Sequence, residues 1–149
     1  MKHKNTLPNA VAYIHGSGSY PYLHGQVRFY QRRDYVLIEA TIQGLPKNRT
    51  GFYGFHIHTG NCCTGIDFAD TAGHYSPTEA PHPTHAGDLP PLLYCRGGAY
   101  TAVITDRFNL SEIIGRTVVI HDEADDFTTQ PAGNAGTKIA CGVISQVRR

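Results

Sequence analysis

A chain of 149 residues with a formal net charge of +1 is sized for one domain, residues 1–149, with a core of its own. So small a charge gives no electrostatic case for nucleic acid or a membrane surface, and no apolar run is long enough to span a bilayer. Its four cysteines, none in a CxxC pair, exclude a disulfide-dense scaffold and a zinc ribbon.

The N-terminus, MKHKNTLPNAVAYIHG, is basic but lacks the apolar stretch of a secretion signal. A cytoplasmic location is therefore expected, or a secreted or periplasmic one had a signal been removed. Lys2, Lys4, Arg148 and Arg149 read as solvated tails, and His3, His15 and His24 as surface histidines.

Sixteen glycines, nine prolines and many short apolar runs point to an all-β domain. AVAYIH (10–15) reads as the first strand. GQVRFYQR follows with Val27 and Phe29 inward, then a turn at Arg32, Arg33 and Asp34. YVLIEATIQGL alternates with Val36, Ile38, Ala40 and Ile42 on one face and Glu39, Thr41 and Gln43 on the other. The fourth strand opens GFHIH, with Phe55 and Ile57 inward and His56 and His58 on the outer face.

Residues 60–91 then show no periodicity and carry five prolines. A structureless loop of that length needs a function or something to pin it. AYTAVITD and GRTVVIHD read as further strands, with LSEIIG a short turn or strand between them. A second irregular stretch, 122–137, leads to a last strand, KIACGVISQV. Seven or eight short antiparallel strands with two long loops describe a sandwich or barrel.

The histidines account for the loop. Six of the nine lie on the fourth strand, in the long loop, or at the end of VVIH. The loop offers His74, His82, His85 and Asp88, three imidazoles and a carboxylate, which make a complete tetrahedral zinc set. Such an ion would order a loop that otherwise has no reason to be ordered. His121 shares a face with Val119, away from Val118 and Ile120. If its strand neighbours the fourth, His56, His58 and His121 converge, and imidazole sites suit zinc, copper, iron or nickel. A zinc hydrolase built on those three would lack the carboxylate base of an HExxH motif.

GFHIH, AGHYSP, HPTHAGDL, IIGRTVVIHDEADD and GNAGTKIACGVI, in this order and spacing, resemble the copper/zinc superoxide dismutases from about residue 10 to 145. The resemblance implies an eight-stranded antiparallel Greek-key β-barrel. It implies His56, His58, His74 and His121 as copper ligands, and His74, His82, His85 and Asp88 as zinc ligands, so that His74 bridges the two ions. Asp125 would link His56 to His82. Cys141 would be half of an intrasubunit disulfide whose partner fits Cys63 best, with Cys62 an open alternative. The implied reaction turns two superoxide anions and two protons into oxygen and hydrogen peroxide. Copper changes oxidation state, and the bridging His74 takes up and returns a proton. A homodimer is the form this family suggests.

Two departures bear on the reaction. The family's anion-guiding arginine is replaced by Lys138, which keeps the charge and loses the planar fork of donors. The stretch from His121 to Gly136 is short for the family's electrostatic loop, which implies a more open copper site and weaker steering. These departures support an alternative: a copper- and zinc-binding storage or delivery module with little dismutase activity. Cys62 and Cys95 read as ordinary free thiols.

Overall fold

The computed structural model describes residues 6–148; His3, Lys2, Lys4 and Arg149 lie outside the described residues. The strands are β1 Ala10–Gly16, β2 His24–Gln31, β3 Val36–Gln43, β4 Phe52–Tyr53, β5 Phe55–His58, β6 Leu92–Leu93, β7 Gly98–Thr105, β8 Thr117–His121 and β9 Lys138–Gln146. Seven form one antiparallel sheet in the order β5-β8-β9-β1-β2-β3-β7, and β4 pairs with β6. The chain is all-β, and this curled sheet is consistent with a Greek-key barrel.

Alternation decides the core. Val27 and Phe29 on β2 and Val36, Ile38, Ala40 and Ile42 on β3 point inward and are buried, meeting Ile14, Phe55, Ile57, Val118, Ile120 and Ile144. His15 and His24 sit outward and exposed, as expected of surface histidines.

Two expectations need correction. LSEIIG is neither a turn nor a strand: Leu110–Ile113 form a single α-helical turn, α1. Asn109 and Glu112 close a capping box there, and the Asn109 N–H donates to Glu112 Oε2 at 2.6 Å. Leu110 and Ile113, three apart, are both buried. The further strands are instead β4 and β6, which alternation cannot reveal, because their ladder is only two residue pairs long.

The second correction concerns β5. All four of its residues are buried, so His56 and His58 do not face solvent. The long loop folds back along the free edge of β5. Ile57 N–H donates to Gly87 O (2.9 Å) and Ile57 O accepts from Tyr75 N–H (2.7 Å), with isolated bridges His56–Asp88 and His58–His74. This pairing satisfies an edge that would otherwise be exposed.

The start of the loop is tied by a disulfide. Cys63 bonds Cys141 with the Cα atoms 5.7 Å apart, which settles the choice between Cys63 and Cys62. Cys63, Cys141, Phe68 and Val119 form a small apolar cluster on the outer side of β8 and β9. Cys62 and Cys95 are free.

Candidate metal centre

The histidines come from three places: two strands and the long loop. His56 and His58 stand on β5, two residues apart and therefore on one face. β8 is the neighbour of β5 and delivers His121 at its end. A β-bulge between Ile120 and His121 shifts the register, so His121 lies opposite Lys138 rather than Ile139. Bulges re-aim side chains in this way beside functional sites. The loop laid along the other edge of β5 supplies His74, His82, His85 and Asp88.

These residues form two groups sharing one member: His56, His58, His74 and His121, and His74, His82, His85 and Asp88. Within each group the ligating atoms lie within 4.8 Å of one another. His56 and His74 have ring centroids 4.0 Å apart.

Hydrogen bonds decide which nitrogen of each ring carries a proton. Asp125 is buried, and its Oδ2 accepts from His56 Nε2 at 2.8 Å. Its Oδ1 accepts from His82 Nε2 and from the Phe127 N–H, both at 2.8 Å. The protons are thus on Nε2 of both rings, and Nδ1 is left with a lone pair. In agreement, His56 Nδ1 and His82 Nδ1 are buried without a hydrogen-bond partner. His82 Nδ1 does lie 3.1 Å from Asp88 Oδ2, an ion-pair distance without hydrogen-bond alignment.

His58 Nδ1 donates to Ala72 O (2.8 Å) and His121 Nδ1 to Gly136 O (3.3 Å), which leaves lone pairs on both Nε2 atoms. Those two Nε2 atoms face each other at 3.3 Å. Two lone pairs at that distance repel, and a cation shared between them removes the repulsion.

The second group closes around Asp88. His74 Nδ1 is 2.7 Å from Oδ1, and His85 Nδ1 is 3.0 Å from Oδ2. His74 Nε2 is buried and unpartnered. His74 therefore presents one nitrogen to each group. Buried lone pairs with no proton donor are the donor set that a metal ion satisfies, and imidazole with one carboxylate fits zinc or copper.

The electrostatics favour the neutral form of His56, His58 and His121. Burial pushes His121 down to about 3 and His58 well below the ordinary histidine value; the neighbouring imidazoles and Lys138 add to both effects. Burial also lowers His56, against the pull of Asp125. Burial opposes ionisation of Asp125, but hydrogen bonds from His56, His82 and the Phe127 N–H outweigh it and hold the carboxyl well below its usual range.

The sign of the pH effect follows. Between the unfolded histidine value of about 6.5 and the depressed folded values, the unfolded chain binds protons that the folded chain refuses. Each such ring makes stability fall by about 1.4 kcal/mol per pH unit as pH drops through that window. Chelator-treated protein is therefore expected to lose much of its stability between about pH 6.5 and pH 4.5. The denaturant midpoint checks this, and a flat midpoint contradicts the neutral cluster.

Lys138 is half-buried, and burial lowers its pKa. Its Nζ donates to Thr71 Oγ1 and to Ala72 O, each at 2.8 Å. Ala72 O thus accepts from both His58 and Lys138. Three residues near the site escaped the sequence reading. Ala72 has a φ of 59°, a conformation that no sequence pattern marks. Arg107 Nη1 donates to Pro83 O and His85 O (2.9 and 3.1 Å) from the β7–α1 connection. A Cβ on Gly133 would fall 2.0 Å from Asp125 Oδ1, and GNAG alone does not show why glycine stands there.

The family model described as copper/zinc superoxide dismutase (SODC) matches residues 23–144. Superoxide dismutase [Cu-Zn] A of Xenopus laevis is 37% identical over 156 aligned positions, which cover 93% of this chain and 97% of that one. The superoxide dismutase [Cu-Zn] of Legionella pneumophila is 35% identical over 143 positions, covering 90% and 85%. A crystal structure of a double mutant of a SOD-like protein from Bacillus subtilis superposes with a TM-score of 0.76 at 26% identity, over 89% of this chain and 95% of that one. With a family match over most of its length and relatives this similar, the chain belongs to the copper/zinc superoxide dismutase family.

Proposed function

We propose that this protein is a superoxide dismutase with copper held by His56, His58, His74 and His121, and zinc by His74, His82, His85 and Asp88. The observation that carries the reading is His74: one nitrogen on Asp88 and the other buried and unpartnered toward the first group. Bound copper would supply one-electron redox chemistry and bound zinc a fixed positive charge. The chain's part is attraction, orientation and proton handling.

The Lys138 ammonium offers charge at the mouth of the first group, and His58 and His121 are held in place from behind by Ala72 O and Gly136 O. His74 Nε2 is the atom at which a proton can be held and released to the reduced substrate. Asp125 fixes both His56 and His82, so the two groups keep one relative geometry.

The test is superoxide decay followed by pulse radiolysis, with copper- and zinc-loaded protein, chelator to remove free copper, and His121→Ala beside it. Fast decay that vanishes in the variant supports the reading; slow decay in both, with copper bound, sinks it. Lys138→Gln is expected to slow catalysis by about tenfold or more through lost steering, and added salt should slow the parent but hardly the variant. Lys138→Arg is expected to raise the rate, since the fork can keep Thr71 and Ala72 as acceptors and still offer donors to the anion.

One observation favours the second reading, a metal-holding module with little dismutase activity. Two of the three Lys138 ammonium hydrogens are already committed to the protein, which leaves one for a substrate. A Bacillus subtilis relative named superoxide dismutase-like protein YojM is 31% identical over 106 positions.

A further inference from the structure

The second loop, 122–137, is short, yet it reaches the second ligand group at two places. One is Asp125 on the His82 ring. The other is Gln130. Its Oε1 accepts from the His82 N–H at 2.9 Å, and its Nε2 donates to His82 O at 2.7 Å. A side-chain amide has the donor and acceptor spacing of a peptide group, so this is a two-bond pairing of one carboxamide with one residue's main chain.

The carboxamide is held in place to do this. Asp126 takes the Thr128 N–H (2.9 Å), the Thr129 N–H (2.8 Å) and the Thr129 hydroxyl, which pins the turn just before Gln130. Gly133 N–H then donates to Thr129 O at 2.7 Å, and Asp126 N–H to Gly133 O at 2.9 Å. These bonds keep the turn fixed although it is exposed.

The ring of His82 is therefore held at Nε2 by Asp125, and its main chain on both sides by Gln130. What remains free is Nδ1, the atom left for an ion. The turn carrying His82 and His85 is not bound to the sheet by a regular ladder, so its main chain needs such partners to keep Nδ1 aimed.

We propose that Gln130 is a positioning residue of the second metal group: by pairing with the main chain of His82 it sets the aim of His82 Nδ1 independently of Asp125. The inference rests on the metal reading above. Its readouts use metal binding and not superoxide, so the two can fail separately.

The experiment loads the second group with Co(II) and records its visible spectrum, which reports ligand geometry, then follows zinc release into a chelator. Gln130→Ala removes both bonds. Gln130→Glu keeps the acceptor for the His82 N–H and loses the donor to His82 O. Glu79→Ala, at an exposed position of the first loop, is the control. Expected is a shifted Co(II) spectrum and roughly tenfold faster zinc release in Gln130→Ala, an intermediate rate in Gln130→Glu, and near-parent behaviour in Glu79→Ala. A lower melting temperature with unchanged spectrum and release rate overturns the assignment, since Gln130 would then serve the fold alone. A parent protein that takes up no Co(II) overturns the metal reading itself, and this inference with it.

Discussion

Replacing Cys141 by serine is expected to destabilise the protein by about 4 kcal/mol and to lower its melting temperature by roughly 10 °C. The disulfide joins residues 78 apart in sequence, and closing so large a loop removes much of the unfolded chain's freedom. The native state suffers as well. Cys141 is fully buried against Phe68 and Val119, and a serine hydroxyl there has no apolar role.

The segment released is the one that carries Thr71 and Ala72. Ala72 O holds His58 and Lys138, so copper retention should fall with stability. Cys62→Ser, at the free neighbour, should change the melting temperature by no more than about 2 °C. Thermal unfolding with metal analysis checks all three statements. A Cys141→Ser protein that melts with the parent would show that the bond contributes nothing to this loop.

Gly133→Ala is expected to destabilise the protein by about 3 kcal/mol or more. The new Cβ would meet Asp125 Oδ1 at 2.0 Å and His82 Nε2 at 2.6 Å, the two ends of one buried hydrogen bond. Neither atom can retreat without leaving a buried partner unpaired. The φ of +70° adds backbone strain for any L side chain. The loss should appear in zinc retention first, because His82 belongs to the second group, and in the melting temperature of the loaded protein. Gly51→Ala is the comparison: its φ is +77°, but a Cβ there meets nothing within 4 Å, so it should show the backbone strain alone. Equal losses in the two variants would mean that crowding at Asp125 is not the cause.

Much of the fold can be read from alternation, because a strand's side chains must take opposite faces and only one face of β2 or β3 is buried. That argument fails where both faces are covered. β5 reads as half-exposed, and the loop that covers it has no period to announce the contact. It fails again for β6, whose two residues are too few to alternate, and for α1, a single turn recognisable by its cap and by the spacing of Leu110 and Ile113. The grouping of His74, His82, His85 and Asp88 was legible because residues brought together from one loop leave a local pattern of spacing.

The sequence alone determined the candidate ligand types, the all-β class, and the family resemblance that pairs Cys141 with a cysteine just after the fourth strand. Only the tertiary structure decided which cysteine pairs. It also decided that a bulge sets His121 opposite Lys138, and which nitrogen of each ring is left without a proton. The reason is physical: a residue type fixes what a side chain can donate or accept, but which atom is left over depends on partners such as Asp125, Ala72 O and Gly136 O, which lie many residues away in the chain.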